Sequence, residues 1–303
     1  MTVAAVLRLS KTSGMGITDG QITNTSYDGN VVRSYNFGQK ITRVNQTPVF
    51  ILNSQSLSYG GKILDVLQDT LKDDRTYSGI LAKLREAYQA VRDETFKTGV
   101  LDRFHLTWED FIQGRAGEDI RKEVERRAKY PEQFNPHFLV GGFNIPKERF
   151  DFDAVFYPGQ IVCGGSKAYD TTGIGEESAD RVIGETLHYM SPYERTNIER
   201  YLGARILMEA VRSAGHNTGV GGTPQMMWTC GPDFFELGHE ESNMLDAALY
   251  CERKGMLDKP YVNTLFQRSI QDGAKTTELL PELMEMIPHT ELANIFWTQS
   301  LHV

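Results

Sequence analysis

The feature that most constrains this chain is a change of period near residue 56. Before it, short β-rich runs alternate with turn signals; after it, apolar residues recur at helical spacing. Residues 3–9 form the first run, and 14–18 lead into an Asp19-Gly20 turn. Asp28-Gly29-Asn30 marks another turn, and the runs 31–35, 40–44 and 48–52 continue the series. From about Leu57, Ile63, Leu64 and Leu67 fall on one helical face and Asp65, Gln68 and Asp69 on the other. A second helix is predicted over roughly 78–94. Strands return at 137–142 and 150–156, and Tyr157-Pro158-Gly159-Gln160 reads as a hairpin turn into 161–163. Two helices follow. The second opens on a capping box, Ser191 with Pro192 and Glu194, and carries the stripe Ile198, Tyr201, Leu202, Met208, Val211. Residues 215–222 are a glycine-rich loop, 224–230 a strand, and the rest after Pro232 is helical in pattern with no strand signal.

That order predicts a mixed α/β (α+β) protein in which two sheets face each other with helices outside. The expected division is 1–231 for the layered domain, with an insertion at about 95–133, and 232–303 for a helical C-terminal extension packed on it. The extension carries Phe234, Leu237, Met244, Leu265, Leu279 and Phe296 among many apolar side chains, too many to leave in water.

Composition narrows the function. A chain of 303 residues with 40% hydrophobic and 24% charged residues can bury a substantial core. Its longest apolar runs, 48–52 and 154–157, are far too short to cross a bilayer. The start lacks a basic region followed by a long apolar stretch, so a secretory signal is not expected. Cys163, Cys230 and Cys251 are odd in number and widely spaced, which predicts reduced, buried thiols in a cytoplasmic protein. A formal charge of −8 argues against a nucleic-acid partner, and the basic run at 121–127 is interleaved with acids like a solvated helix face.

Several short motifs occur in a telling order. They are Thr2-Val3, Asp19-Gly20-Gln21-Ile22-Thr23, Lys40-Ile41-Thr42-Arg43-Val44 and the run Phe134-Asn135-Pro136-His137-Phe138-Leu139-Val140-Gly141-Gly142. Thr172-Gly173-Ile174-Gly175 precedes a helix, and Gly219-Val220-Gly221-Gly222 precedes the last strand of the domain. Each is weak alone: Asp19-Gly20 by itself is a hairpin turn, and Lys40 by itself a surface lysine. Together, over about three quarters of the chain, they resemble the proteasome β-subunit superfamily of N-terminal-nucleophile (Ntn) hydrolases, in particular the bacterial HslV peptidase and Anbu-type proteasome homologues.

The resemblance implies a four-layer αββα sandwich and a threonine nucleophile, Thr2, exposed by removal of Met1. A threonine hydroxyl needs a base within hydrogen-bond reach, and a free α-amine has an ordinary pKa of about 7.7–8.0. A neighbouring ammonium lowers that value and supplies the neutral base. By motif position the ammonium is Lys40 and the carboxylate that holds it is Asp19. The oxyanion donor falls near Asn53-Ser54. The chain departs from the family where a serine is expected at Ile174, an aspartate most nearly at Asn217, and another serine at Val220. These departures bear on activity rather than fold.

Other candidates are weaker. Gly60-Gly61-Lys62 lacks the rest of a phosphate loop and reads as a helix-start turn, and His239-Glu240-Glu241 has no second histidine at zinc spacing. No metal or cofactor is expected. Three functions follow from the resemblance: a self-assembling threonine peptidase or amidohydrolase acting on peptides or proteins as a ring or stacked ring, an acyl-transferase using the same Thr2, or a catalytically silent scaffold. Whether an ATPase docks is open.

Overall fold

The computed structural model describes residues 2–25, 31–35, 39–55, 57–71, 75–129, 135–215 and 220–287. Twelve strands alternate with ten α-helices among them. The first sheet has the order β10-β1-β2-β11-β12, from Tyr169–Gly173, Val3–Arg8, Ser13–Thr18, Gln225–Cys230 and Asp233–Glu236. The second runs β5-β6-β7-β8-β9, from Ile41–Arg43, Val49–Gln55, Pro136–Asn144, Arg149–Phe156 and Gln160–Cys163. A hairpin of β3 (Ile22–Thr25) and β4 (Val31–Tyr35) stands apart. Every neighbouring pair is antiparallel.

Strand alternation sorts the side chains into layers. Ala4 and Val6 of β1 share one cluster with Phe50 and Leu52 of β6, Leu139 of β7 and Phe152 of β8, so the two sheets meet there. The opposite face of β1, with Val3, Ala5 and Leu7, packs on α5 (Glu176–His188) and α7 (Arg200–Ala214). The opposite face of β6 and β7, with Ile51 and Val140, packs on α1 (Leu57–Thr70) and α2 (Tyr77–Phe96). Glycines set the sheet-to-sheet distance. A Cβ on Gly16 would lie 2.4 Å from Phe50, and one on Gly14 would lie 2.2 Å from Phe150.

Beyond α2 the chain passes through short helical turns into α3 (Trp108–Ile112) and α4 (Glu118–Lys129), where Val100, Leu101 and Val124 form a small cluster of their own. At the other end, α8 (His239–Arg253), α9 (Lys259–Ile270) and α10 (Thr276–Met286) share the large cluster under β1 and α7. The buried Arg205 of α7 ties them down, donating to both carboxylate oxygens of Glu252 at 2.6 and 2.8 Å and to Asn263 Oδ1 at 2.7 Å. Residues 288–303, including Phe296, lie outside the described residues.

Four sequence expectations are corrected. The segment after Pro232 is not purely helical, because Gly231 at φ +58° turns the chain back into β12, where Phe235 stacks on Trp228. The helix opening at Ser191 does carry its capping box, but it ends as α6 (Pro192–Thr196). The N–H of the buried Ile198 leaves the helix to donate to the carbonyl of Leu9, and α7 begins anew at Arg200. Gly60 and Gly61 lie inside α1 rather than in a turn before it. Of the three free cysteines only Cys251 is buried; Cys163 and Cys230 are exposed. No described helix is long and apolar enough to cross a membrane.

Two glycine substitutions should have opposite signs. Gly16→Ala forces Phe50 out of a packed layer and is expected to cost about 1–3 kcal/mol in denaturant unfolding. Gly61→Ala meets nothing within 4 Å and sits in a helix, so it should stabilise by about 0.5–1 kcal/mol.

Candidate active site

Lys40 enters β5 with its backbone fixed on two sides. Its N–H donates to Gln225 Oε1 at 3.0 Å, and its carbonyl accepts from the N–H of Asn53 at 2.7 Å. This anchoring turns the side chain inward, where Nζ donates to Asp19 Oδ2 at 3.0 Å and to the carbonyl of Gln21. Both side chains are fully buried.

Asp19 follows directly on β2 and closes the arrangement around the chain start. Its Oδ1 accepts the N–H of Val3 at 2.9 Å, while its own N–H donates to the Val3 carbonyl at 3.2 Å. Oδ2 also accepts the N–H of Gly221 at 3.3 Å, and Gln21 donates its N–H to the Gly221 carbonyl at 2.8 Å. Burial pulls the Lys40 ammonium below its ordinary value and pushes the Asp19 carboxyl up, and each charge opposes the shift of the other. Removing either partner would strand a buried charge.

Thr2 is fully buried at the head of β1. Its carbonyl accepts the N–H of Ile174 at 2.9 Å. This close approach requires Gly173, which holds φ +106° and whose Cβ would lie 2.0 Å from the Thr2 oxygen. Continued alternation puts Thr2 on the face of Ala4 and Val6, between the sheets. Thr2 Oγ1 has no hydrogen-bond partner among the described residues, and neither has Thr18 Oγ1 in the strand beside it. The structure therefore brings Thr2, Asp19 and Lys40 to one place through Val3.

The remaining sequence candidates scatter. Asn53 is displaced from the expected oxyanion role, since its N–H is given to the Lys40 carbonyl. Its side chain packs on Gly60 of α1, away from the space between the sheets. Ser54 does face that space, donating weakly to the His137 carbonyl at 3.4 Å and to Thr172 Oγ1 at 3.5 Å. Ile174 serves through its backbone and leaves its side chain 50% exposed, whereas Val220 is buried in the helix-side cluster. Asn217 and Met1 lie outside the described residues.

Sequence reasoning missed a polar group at the same end of the inter-sheet layer. His137 Nδ1 lies 3.2 Å from both Gln55 Nε2 and Thr172 Oγ1, and Nε2 lies 3.0 Å from Asn135 Oδ1. Gln55 itself adopts φ +67° where β6 gives way to α1. Gln225, three residues after the glycine-rich loop, was also missed as a partner of Lys40, and Gly221 within that loop was not expected to donate to Asp19. Among the described residues no group of three or more His, Cys, Asp or Glu side chains could hold a metal. A cavity of about 540 Å³ beside the end of α2, lined by Phe96, Leu101, Trp108 and Tyr157 among others, shares no residue with the site.

No family model and no curated protein matches the chain. Solved structures do. The Anbu (Gly-1) mutant from Hyphomicrobium sp. strain MC1 is 12% identical, with a TM-score of 0.54 over 86% of this chain and 97% of that one. Anbu (ancestral beta-subunit) from Yersinia bercovieri is 13% identical, with a TM-score of 0.52 over 94% of this chain and 98% of that one. At such identity the likeness is one of fold: this chain has a proteasome-like fold of the Anbu kind.

The Asp19–Lys40 pair should respond to mutation as a unit. Lys40→Ala leaves Asp19 buried and unpaired and is expected to cost about 3–5 kcal/mol in denaturant unfolding. The double variant Asp19→Asn/Lys40→Met, with no stranded charge, should be more stable than Lys40→Ala. A solvated lysine would instead shift stability by less than about 0.5 kcal/mol.

Proposed function

We propose that the chain is a threonine-type N-terminal-nucleophile hydrolase, a peptidase or amidohydrolase built as a four-layer αββα sandwich. Removal of Met1 frees the Thr2 α-amine. The Lys40 ammonium holds that amine neutral at working pH, and the amine takes the proton as Thr2 Oγ attacks the scissile carbonyl. The collapsing tetrahedral intermediate leaves an ester on Thr2 Oγ, and the departing amine receives the proton. Water, activated by the same α-amine, then cleaves the ester and restores the hydroxyl. We further propose a homo-oligomeric ring or stacked ring in the cytoplasm, with peptide or protein substrates and no cofactor in these steps.

One observation carries this reading. Asp19 binds the N–H of Val3 with one oxygen and the Lys40 ammonium with the other, so a buried cation is tethered to the residue next to Thr2. A hairpin turn and a surface lysine would need no such arrangement. The resemblance in motif order and the likeness of fold to Anbu support the same class.

A second reading, a catalytically silent scaffold, is favoured by a different observation. The exposed Ile174 side chain and the buried Val220 side chain offer no hydroxyl to orient an amine. An acyl-transferase would use the same Thr2 with an amine in place of water.

Covalent labelling separates these readings. An electrophile directed at N-terminal threonine, such as a peptide epoxyketone or boronate, should modify wild-type protein and leave Thr2→Ala untouched, with the oligomer unchanged. Lys40→Arg should regain much of the stability lost in Lys40→Ala and little of the labelling, because a planar fork does not replace a compact ammonium in a tight site. Wild-type protein that stays unlabelled at high reagent excess supports the scaffold.

A further inference from the structure

The polar group around His137 joins the two sheets where Thr2 sits. Gln55 and Ser54 belong to β6 of one sheet and Thr172 to β10 of the other. Thr172 lies opposite Ala4 and two residues before Ile174, whose N–H holds the Thr2 carbonyl. Gln55 terminates the strand that also gives the Asn53 N–H to the Lys40 carbonyl. The imidazole therefore bridges a wall that fixes Thr2 and a wall that fixes Lys40.

The hydrogen bonds around the ring close in only one protonation state. Gln55 Nε2 is an amide donor, and Gln55 Oε1 is committed to accepting from Asn135 Nδ2 at 3.2 Å. Thr172 Oγ1 is an acceptor for the single Ser54 Oγ proton, which Ser54 shares with the His137 carbonyl, and gives its own proton to His137. His137 Nδ1 must then be the acceptor, its lone pair shared between Gln55 and Thr172, and Nε2–H donates to Asn135 Oδ1. This is the neutral imidazole. A proton on Nδ1 turns the acceptor into a donor facing the Gln55 donor, so the link within the sheet to Gln55 is lost and the link across the sheets to Thr172 must reverse.

Among the described residues nothing else competes for that proton. Ser54 and Gln55 face the ring from β6, Thr172 from β10, and Phe156 of β8 packs edge-on with ring centroids 4.8 Å apart. No charged group among the described residues perturbs His137; burial alone pulls its pKa below the ordinary value. The non-glycine left-handed backbone at Gln55 is an uncommon conformation that its surroundings must hold, and the side chain's bonds to His137 and Asn135 do so.

We propose that His137 is a positioning residue for the Thr2 reaction: its neutral ring pins the Thr172–Ile174 stretch against the end of β6, and its protonation loosens that hold. The inference rests on the reading of Thr2 as a nucleophile. It adds a second titrating group to the acid side of the pH profile, since the Thr2 α-amine must also be unprotonated.

The test is the second-order rate of Thr2 labelling by a neutral peptide epoxyketone between pH 5 and 8.5, in wild-type protein and in His137→Asn. The substitution puts a non-titrating amide oxygen toward Gln55 and Thr172 in place of Nδ1. Below both pKa values the wild-type rate should fall about a hundredfold per pH unit, one factor of about ten from each group, and the His137→Asn rate about tenfold. Equal slopes in the two proteins overturn the role of His137 while leaving the nucleophile intact. Absence of labelling in wild-type protein overturns the reading of Thr2 itself, and this inference with it. Should His137→Asn fail to fold, His137→Gln, likewise a non-titrating amide, takes its place, with the same difference in slope expected and equal slopes again overturning the role.

Discussion

A buried carboxylate and a buried ammonium, neither of which could remain in this interior alone, set the geometry of the first turn of the chain. Asp19 is surrounded by donors from three places: the backbone of Val3, the backbone of Gly221 and the side chain of Lys40. Each donor comes from a different stretch, so satisfying one carboxylate brings together the head of β1, the segment before β11 and the entry to β5. Ion pairs of this kind add little net stability over an apolar replacement, because desolvation consumes most of the attraction. What Asp19 and Lys40 give is position: the ammonium has one place to be.

The layered fold serves that position. Small residues in β2 and β7, Gly14, Gly16 and Gly141, let Phe50 and Phe150 fill the space between the sheets. The apolar layer gives way to Thr2, Thr18, Ser54, Thr172 and His137 at one end. Polar groups there are either hydrogen-bonded or, like Thr2 Oγ1 and Thr18 Oγ1, buried without a partner among the described residues. An unsatisfied buried hydroxyl costs free energy, and such costs concentrate where a ligand or reacting group is meant to arrive.

Much of this was legible in the sequence, and what was not has identifiable causes. Turn residues and period placed β1, β2, β7 and β8 within a residue or two, and β6 within three, because their signals are local. Motif order drew attention to Thr2, Asp19 and Lys40 although each of the three is ordinary alone. Strand β12 escaped despite the Gly231-Pro232 turn before it, since its Phe234-Phe235 pair also suits a helix. The break between α6 and α7 was invisible to periodicity, being imposed by the Ile198 bond to Leu9 far away in sequence. Asn53 was misplaced because only the register of β6 decides which face a residue presents. His137 was overlooked because its partners, Gln55 and Thr172, lie 82 and 35 residues away.

The central claim is that the residue beside this ion pair carries a free amine. Thr2 has no base of its own while Met1 is attached, and the Lys40 ammonium then has no amine to tune. The most direct measurement is the intact mass of the purified protein, read together with its N-terminal peptide. The expected result is a mass lower by one methionine in every molecule, with Thr2 as the first residue. Quantitative retention of Met1 in the assembled protein would contradict it, leaving the Asp19–Lys40 pair as a structural element of a silent fold.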